Sequence, residues 1–519
     1  MEDPGHAEAP PPANLESRLM RLDQLSAGTP ARILRGDGST EIVDVAFDSR
    51  KVEPGTLFFC VRGASSDGHD FAPAVVEAGA VALVVDHELD LDVPQLLVED
   101  TRRAMGPLAA QFFGEPSREL RMVGVTGTNG KTTTAFLTRA VLEAAGFSCG
   151  LLGTVKQVIG GVEEEVVRTT PEAIDLQRTF RRMLDAGDEA CVIEVSSHAL
   201  VLGRADAIHF DVAAFTNLTQ DHLDFHSDME DYFRAKRLLF EPDPNGTGVV
   251  PGAAAVNVDD PHGAELLADL RDAGTLPATS FSAAGADADL SAHDVSFDAT
   301  GSRFELRTAD GSTRDVELGL PGHFNVENAL AALACTGALG IAVDAAARAL
   351  ATAEPVPGRM EPVDAGQDFG VIVDYAHTPD SLENVLRAAR RLTEGRLICV
   401  YGCGGDRDAS KRPLMGGAGA ELSDVPVVTS DNPRSEDPEA IISQMVDGIP
   451  LERRGSLIID ADRRRAIATA LAEAKHGDLV VIAGKGHEQG QEFADGRKEP
   501  FDDRDVAREE LAHLRGAAA

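Results

Sequence analysis

The stretch GTNGKTT, residues 127–133, has the residue types that bind the phosphates of a nucleotide. Its two glycines permit a tight turn, and the helix-like sequence that follows would aim backbone N–H groups at phosphate oxygens. Lys131 would then contact the β- and γ-phosphates, and the hydroxyl of Thr132 would reach Mg²⁺. The stretch departs from the strict G-x-x-x-x-G-K-[ST] pattern because Val125 stands at the first glycine position. The residues predict a nucleotide site with a variant loop.

Two further side chains could ligate the metal. Glu194 ends the apolar run CVIEV, and His222 follows the strand-like VAAFTNL. Each is therefore expected at the carboxyl end of a strand, beside the loop. An isolated glutamate or histidine more often satisfies a structural hydrogen bond, but next to a phosphate loop we predict that both bind metal.

A lysine lies in an unusual place in the helix-like stretch MEDYFRAKRLLF. Phe233 and Phe240 belong to its apolar face, and Lys236 falls on the same face. A lysine there must extend its ammonium to solvent, find a partner or lose its charge. From the residues alone, extension to solvent is the favoured interpretation.

The strand and helix patterns that position these residues fall into three segments. Residues 16–118 predict a small α/β domain, residues 119–352 a central sheet with an antiparallel insertion, and residues 353–519 a second sheet of five apolar runs. Each run of that second sheet ends in a loop rich in charged residues. We predict an α/β protein of three domains, with a P-loop-type ATPase sheet in the middle and a Rossmann-like sheet at the end. Residues 1–15, acidic and rich in proline and alanine, predict a disordered tail.

Composition excludes several classes of function. The 519 residues carry a formal net charge of −38, which argues against an extended basic surface for nucleic acid. The sequence has no apolar run long enough for a transmembrane helix. Its six cysteines lie mostly in apolar runs without a CxxC pair, as expected for buried reduced thiols. We expect a cytoplasmic monomer without a nucleic-acid or membrane partner.

Motifs along nearly the whole chain resemble the Mur ligases of peptidoglycan synthesis. They are FDSRKVEPGTLFFCVRG, GTNGKTTT, RTTPEA, EVSSHAL, NLTQDHLDFHSDMEDYFRAKRLLF, GHFNVENALAA, PGRME, VDYAHTPDSLENVL, GCGGDRDASKRP, DNPRSED and AGKGHE. The family's loop is GTxGKT, which accounts for Val125. The resemblance implies one domain each for a UDP-sugar, ATP and an amino acid. It also implies that ATP converts a substrate carboxylate into an acyl phosphate, which an amine attacks to form an amide.

The resemblance also implies roles for individual residues. Those expected to bind ATP are Gly127, Thr128, Asn129, Gly130, Lys131, Thr132, Thr133, Asn325, Asn328, Arg359, Asp374 and His377. Those expected to bind the UDP-muramoyl dipeptide are Phe47, Ser49, Ala64, Ser65, Ser66, Thr169, Thr170, Ser196, Leu202 and Arg204. Those expected to hold Mg²⁺ are Thr132, Glu194, His222 and a carbamylated Lys236, and the last three would be catalytic together with Lys131. Leu202 and Arg168 depart from the family pattern, in which glutamine and asparagine occur.

The motif DNPR is similar to that of the relatives that add meso-2,6-diaminopimelate to UDP-N-acetylmuramoyl-L-alanyl-D-glutamate, and these two molecules are the implied substrates. Diaminopimelate differs from lysine by a distal carboxylate, so a selective site needs a guanidinium fork to pair with it. Two arginines could supply such forks, Glu488 could accept the distal ammonium, and Gly484 would permit close backbone approach. The residues expected at this site are Arg407, Asp431, Asn432, Pro433, Arg434, Gly484 and Glu488.

Three alternatives stay open at this point. The chain could be a lysine-adding member of the same subfamily, or a ligase similar to folylpolyglutamate synthetase, which shares the loop and the mechanism. It could also be a nucleotide-gated switch without ligase chemistry. The switch does not require the metal-binding residues or a second sheet lined with arginine-bearing loops, and it predicts phosphate release that ignores both substrates.

Overall fold

The computed structural model describes residues 19–36, 38–63, 66–166, 168–241, 250–298 and 300–518. The predicted tail and two residues of the predicted sugar-nucleotide site, Ala64 and Ser65, lie outside the described residues. By its internal contacts the chain divides into two compact units. The first comprises the residues up to Gly124 together with Gly146–Ala213 and Ala235–Gly252, and the second comprises Val125–Ala145, Ala214–Arg234 and the residues from Ala253 onward.

The first unit opens with a five-stranded sheet whose order is Arg32–Arg35, Gln95–Leu97, Ala82–Val85, Thr56–Phe59 and Asp44–Ala46. The first pair is antiparallel and the other neighbours are parallel. Runs such as TLFF and ALVV are buried throughout, because apolar clusters cover both faces of the sheet. The helices of this region are Leu22–Ser26, Ala72–Glu77 and Thr101–Phe113, and the short strands Met20–Arg21 and Glu41–Ile42 form an antiparallel pair.

The rest of the first unit places Glu194 at the end of a strand, as predicted. Strand Ala190–Glu194 runs parallel to Cys149–Leu152, which also pairs with a hairpin formed by Gln157–Ile159 and Val162–Glu164. Helices Ala173–Asp185 and Ser197–Val201 complete this region. Three elements contribute residues to both units: Arg121–Thr126, Val212–Phe215 and Met229–Arg237.

The second unit contains the helix Lys131–Ala144, which begins directly at the phosphate loop. Strands Ala253–Asn257 and Ala278–Ser282 are parallel, and the predicted antiparallel insertion is confirmed as Leu290–Asp298, Gly301–Thr308 and Thr313–Leu318. The helices of this part are Pro261–Ala273, His323–Ala338 and Val343–Ala351.

The second unit also contains the predicted C-terminal sheet. Its order is Glu361–Pro362, Gly370–Asp374, Leu479–Ala483, Leu397–Tyr401, Val425–Thr429 and Ile458–Asp460, and all but the first strand are parallel. The remaining elements are the helices Pro379–Arg391, Lys411–Leu422, Pro438–Asp447, Arg463–Glu473 and Asp503–Ala518 and the hairpin Gly490–Glu492 with Lys498–Pro500. The charged loops therefore leave one edge of this sheet, as the five apolar runs predicted. Among the described residues, no helix has both the length and the apolar character needed to cross a membrane.

An ion pair lies fully inside the C-terminal sheet domain. Arg463 and Asp503 are in contact at 2.7 Å, and both side chains are 0% exposed. We expect Asp503→Ala to lower the free energy of unfolding by about 3–5 kcal/mol, because it leaves a buried guanidinium without its counter-charge. Urea denaturation measures this. The control is Glu509→Ala, which removes an exposed partner of Arg464 and should cost less than about 1 kcal/mol. Equal losses in the two variants would contradict the expectation.

All six cysteines are buried and none forms a disulfide, which confirms the predicted unpaired thiols. Burial raises the pKa of the Cys60 and Cys335 thiols to about 12. The thiolate, the reactive form, is therefore scarce at neutral pH.

Candidate active site

The phosphate loop is held by the segment that follows strand Val212–Phe215. Gly127 has φ near +150°, and a Cβ there would lie 1.8 Å from Thr216 Oγ1. The same hydroxyl donates to the carbonyl of Asn129 at 2.6 Å, and Asn217 Oδ1 accepts from the N–H of Asn129 at 2.9 Å. The backbone of the loop is thus fixed by the protein itself. Thr216 and Asn217 were not singled out from the sequence, although the strand-like VAAFTNL that precedes His222 contains both.

We expect Gly127→Ala to weaken ADP binding at least about tenfold and to destabilise the protein by roughly 1–3 kcal/mol, because the added methyl group overlaps Thr216. Titration calorimetry with ADP and urea denaturation measure the two effects. Gly146→Ala is the matched control, since Gly146 also has a positive φ, +95°, but a Cβ there meets nothing within 4 Å. Gly146→Ala introduces backbone strain without a steric overlap, so it should leave the affinity for ADP unchanged. An equal loss of affinity in this control would contradict the steric explanation.

The side chain of Lys131 lies over the backbone of the phosphate loop. Its Nζ donates to the carbonyl oxygens of Gly127 and Thr128 at 2.9 and 2.8 Å. The hydroxyl of Thr128 contacts that of Tyr232 at 3.2 Å. The ammonium predicted to meet phosphate therefore lies at the loop.

Two predicted ATP residues come from the region after the central sheet. Arg359 Nη2 donates to Thr132 Oγ1 at 3.1 Å, and its guanidinium lies 4.6 Å from the centre of the Tyr375 ring. Asp374 accepts the N–H groups of Met360 and Ala376 at 2.7 and 2.8 Å. Burial raises the pKa of the Asp374 carboxyl. The structure thus brings Arg359 to the loop, whereas Asp374 holds the backbone that carries it.

Asn325 and Asn328 also lie near the loop. A Cβ on Gly130 would be 2.3 Å from Asn328 Oδ1, and Gly130 has a positive φ of +86°. Asn328 Nδ2 donates to Asn325 Oδ1 at 3.2 Å, and Asn325 Nδ2 donates to the carbonyl of Pro321 at 2.8 Å. The side-chain amides of Asn325 and Asn328 are therefore hydrogen-bonded to each other, and Asn328 lies against the phosphate loop.

The buried carboxylate of Asp221 lies close to three basic side chains. Asp221 lies 3.4 Å from Lys411 Nζ, 3.5 Å from His222 Nε2 and 3.8 Å from His377 Nε2. Burial alone would raise the pKa of the Asp221 carboxyl, but the interactions with His377 and Lys411 hold this pKa well below its usual value. The structure thus brings the predicted His222 and His377 together through Asp221 and Lys411, two residues that the sequence analysis did not select.

In the first unit, Glu194 is the centre of a group of predicted substrate residues. Its carboxylate is 1% exposed and accepts the N–H of Thr154 at 2.8 Å and the hydroxyl of Thr154 at 3.1 Å. Thr169 Oγ1 lies 3.0 Å from the hydroxyl of Thr154, and Thr170 donates to the carbonyl of Glu194 at 2.9 Å. The N–H of Ser196 donates to the hydroxyl of Thr170 at 3.1 Å. The structure therefore assembles these predicted residues and adds Thr154.

Arg204 belongs to a basic cluster beside them. Glu172 is contacted by Arg204 at 3.0 Å, Arg168 at 2.8 Å and Arg102 at 3.1 Å. Burial lowers the pKa of the Arg204 guanidinium. Three guanidiniums share one carboxylate, so the cluster has an excess of positive charge that suits an anionic substrate.

The other predicted sugar-nucleotide residues lie at separate points of the first unit. Phe47 packs against the core of the N-terminal sheet, and Ser49 starts the short helical turn Ser49–Lys51. The carbonyl of Ser66 accepts the N–H of Gly63 at 2.8 Å. Leu202 follows helix Ser197–Val201 as its cap.

The predicted metal ligands divide between the units: Glu194 and Lys236 belong to the first, and Thr132 and His222 belong to the second. Lys236 is 1% exposed, so its ammonium does not extend to solvent and that interpretation is wrong. The oxygens of Glu194 and Thr132 are donors that Mg²⁺ prefers, and Lys236 would offer oxygen donors as a carbamate. Their grouping around one ion stays a prediction.

The DNPR loop lies at the edge of the C-terminal sheet. Arg434 has a left-handed backbone, φ +49°, and its Nη1 donates to the carbonyl of Gly405 at 2.8 Å. A Cβ on Gly404 would lie 3.0 Å from Arg434 Nη1 and 3.9 Å from Arg407 Cγ. Arg407 is exposed, and its Nη1 donates to the carbonyl of Asp406 at 2.9 Å. The structure therefore places the Arg434 guanidinium and the aliphatic stem of Arg407 beside the same glycine, while the Arg407 guanidinium is exposed.

The remaining residues predicted to bind the amino acid are adjacent. Gly484, with φ +122°, approaches Asp431 so closely that a Cβ would lie 2.9 Å from Asp431 Oδ2. Pro433 is buried, and its carbonyl accepts the N–H of Glu436 at 3.0 Å. The close backbone approach predicted at Gly484 thus involves a carboxylate of the protein.

Comparisons with known proteins address the family. Residues 41–113 match the Mur ligase family, catalytic domain, residues 125–336 the Mur ligase middle domain, and residues 358–486 the Mur ligase, glutamate ligase domain. The protein named UDP-N-acetylmuramoyl-L-alanyl-D-glutamate--2,6-diaminopimelate ligase in Streptomyces coelicolor is 46% identical over 503 residues, covering 95% of this chain and 96% of the relative. This chain belongs to the Mur ligase family. A Syntrophomonas wolfei relative of the same name is also 46% identical, over 494 residues, and this Mur ligase covers 99% of it.

Solved structures agree with this assignment. A structure of a UDP-N-acetylmuramoyl-L-alanyl-D-glutamate--2,6-diaminopimelate ligase is 31% identical, has a TM-score of 0.67, and covers 96% of this Mur ligase and 99% of its own chain. The predicted family, the three-domain α/β fold and the ATP-dependent ligase class are confirmed. The domain boundaries and the roles of individual residues stay predictions.

Proposed function

We propose that this chain joins meso-2,6-diaminopimelate to the D-glutamyl carboxylate of UDP-N-acetylmuramoyl-L-alanyl-D-glutamate and converts ATP to ADP and phosphate. The observation that carries the choice of amino acid is the Arg434 guanidinium, which Glu492 and Gly405 hold in place at the DNPR loop. A guanidinium fork held at this point can pair with the distal carboxylate that distinguishes diaminopimelate from lysine. The names of the relatives support both substrates.

ATP would bind with its phosphates on the loop N–H groups, which Thr216 and Asn217 hold in place. Lys131 and Arg359 would balance the phosphate charge, since both cations already lie at the loop. The D-glutamyl carboxylate attacks the γ-phosphorus, the bond to the bridging oxygen breaks, ADP leaves, and the carboxylate becomes an acyl phosphate. The neutral amine of diaminopimelate then attacks the acyl carbon and expels phosphate.

Mg²⁺ would be held by Thr132, Glu194, His222 and Lys236, the last as a carbamate. When bound, the ion would neutralise part of the negative charge of ATP and of the D-glutamyl carboxylate, which repel each other as they come together. A buried Lys236 fits carbamylation, which replaces a buried cation with an anionic ligand. We further propose that the enzyme acts as a cytoplasmic monomer, without a nucleic-acid or membrane partner.

An amino-acid competition assay tests the substrate assignment. Phosphate release is measured with ATP and the UDP-linked dipeptide, with meso-diaminopimelate, with L-lysine, and with neither. We expect release to require both the dipeptide and diaminopimelate, and the UDP-tripeptide to appear by mass spectrometry. Efficient use of lysine would overturn the assignment in favour of the lysine-adding subfamily. Release that ignores both substrates would favour the nucleotide-gated switch.

The folylpolyglutamate-synthetase alternative shares the fold. A folylpolyglutamate synthase of Mycobacterium tuberculosis has a TM-score of 0.58 but is only 20% identical, which shows common architecture alone. The N-terminal sheet and the basic cluster around Glu172 favour the UDP-linked substrate instead.

A further inference from the structure

Lys485 is a fully buried cation that none of the assigned roles uses. It lies in AGKGHE, between Gly484 and Glu488, and its side chain is 0% exposed. Its Nζ donates to Asn432 Oδ1 at 2.8 Å and to Glu488 Oε2 at 2.9 Å, and it lies 3.7 Å from Asp431 Oδ1. A buried ammonium is tolerated only with such partners, so the contacts are expected to be rigid.

These contacts determine how Asn432 is oriented. Lysine has three donors and no acceptor, so the atom of Asn432 that faces it must be the carbonyl oxygen. Asn432 Nδ2 is then available to donate to Glu488 Oε2, at 2.9 Å. Asn432 Oδ1 also accepts the N–H of Glu492 at 2.9 Å. Both polar atoms of the Asn432 side chain are thus hydrogen-bonded within the protein, and Asn432 connects Lys485, Glu488 and Glu492.

The two oxygens of Glu488 differ as a result. Oε2 accepts from both Lys485 and Asn432, whereas Oε1 accepts no hydrogen bond in the part of the chain that the structure describes. The side chain is 31% exposed. One oxygen is therefore held in place, and the other remains available to accept a hydrogen bond. A locked carboxylate loses less side-chain entropy when it binds an ammonium.

The same contacts reach the arginine of DNPR. Glu492, whose N–H is bound by Asn432, accepts Arg434 Nε on its Oε2 at 3.0 Å. The backbone N–H of Arg434 also donates to the carbonyl of Glu492. A continuous chain of contacts therefore connects Lys485, Asn432, Glu492 and Arg434. It sets the separation between an anionic and a cationic recognition group.

We propose that Lys485 is a positioning residue for the incoming amino acid, which acts by orienting Glu488 and by tying it to the Arg434 loop. This inference rests on the proposed function, because it concerns the distal end of diaminopimelate, where Glu488 would bind the ammonium and Arg434 the carboxylate.

Steady-state kinetics of Lys485→Met tests this, since methionine keeps the apolar stem and removes the donors. We expect the KM for diaminopimelate to rise about 30-fold or more, and the KM values for ATP and the UDP-linked dipeptide to change less than about threefold. Lys475→Met, at an exposed lysine of the same domain, is the matched control and should leave all three unchanged. If Lys485→Met does not fold by circular dichroism, Lys485→Gln replaces it with the same expected pattern.

A double-mutant cycle separates positioning from a structural role. If Lys485 acts through Glu488, the variant with both Lys485→Met and Glu488→Gln has a KM for diaminopimelate no more than about threefold above that of Glu488→Gln alone. Additive effects, equal rises in all three KM values, or an unchanged KM for diaminopimelate would each overturn the inference. Failure of the wild-type enzyme to use diaminopimelate would instead overturn the proposed function, so the two failures are distinguishable.

Discussion

Replacing Lys131 by methionine is expected to lower kcat for ligation by roughly 10³-fold and to leave the fold intact. Lys131 Nζ donates to the backbone carbonyls of Gly127 and Thr128. Carbonyls carry partial charge, so ATP oxygens can replace them as stronger partners for the ammonium. Negative charge on those oxygens is redistributed during phosphoryl transfer. The uncharged side chain of methionine cannot stabilise that charge.

Phosphate release with both substrates measures this effect, and thermal unfolding without ligand measures the integrity of the fold. Lys475→Met serves as the control, because it removes an exposed lysine far along the chain from the loop. A kcat within tenfold of the wild-type value would show that Lys131 does not contact the transferred phosphate.

Removing the guanidinium of DNPR by Arg434→Ala is expected to raise the KM for diaminopimelate by roughly 100-fold or more, while the KM for ATP stays nearly constant. The side chain of Arg434 is 20% exposed, and its Nε and Nη1 are held by Glu492 and Gly405. Such anchoring leaves the fork pre-oriented for a carboxylate. Alanine would leave that carboxylate desolvated and without a partner.

Arg434→Lys refines this test because lysine keeps the charge but not the fork. Most of the loss should therefore remain in Arg434→Lys. Arg465→Ala is the matched control: Arg465 is 66% exposed and pairs with Asp460, at the end of another strand of the same sheet. Equal rises in the KM values for ATP and diaminopimelate would assign Arg434 a structural role instead.

The C-terminal sheet was predictable because parallel strands buried on both faces appear as uninterrupted apolar runs. Each of the runs ending at Asp374, Tyr401 and Thr429 became a parallel strand followed by a charged loop. The antiparallel insertion was predictable for the complementary reason, since alternating residues indicate strands with one exposed face.

Contacts between distant residues were not predictable. Thr216 meets the phosphate loop across about 90 positions, and nothing in a single threonine indicates that its hydroxyl fills the space beside Gly127. Lys485 was missed for a different reason: a lysine between two glycines resembles a solvated loop residue, and only the fold shows it to be buried. Lys236 was correctly identified as unusual, but its burial needed the structure.

The burial of every thiol makes this enzyme a convenient host for a spectroscopic probe. A maleimide dye reacts with an accessible thiolate, and every native cysteine is shielded by burial. Burial also raises the pKa of Cys60 and Cys335, which disfavours their thiolate form. A cysteine introduced at Leu451, which is 77% exposed, would therefore be labelled selectively in the folded protein. Fluorescence could then follow substrate binding in a chain that retains all six native cysteines.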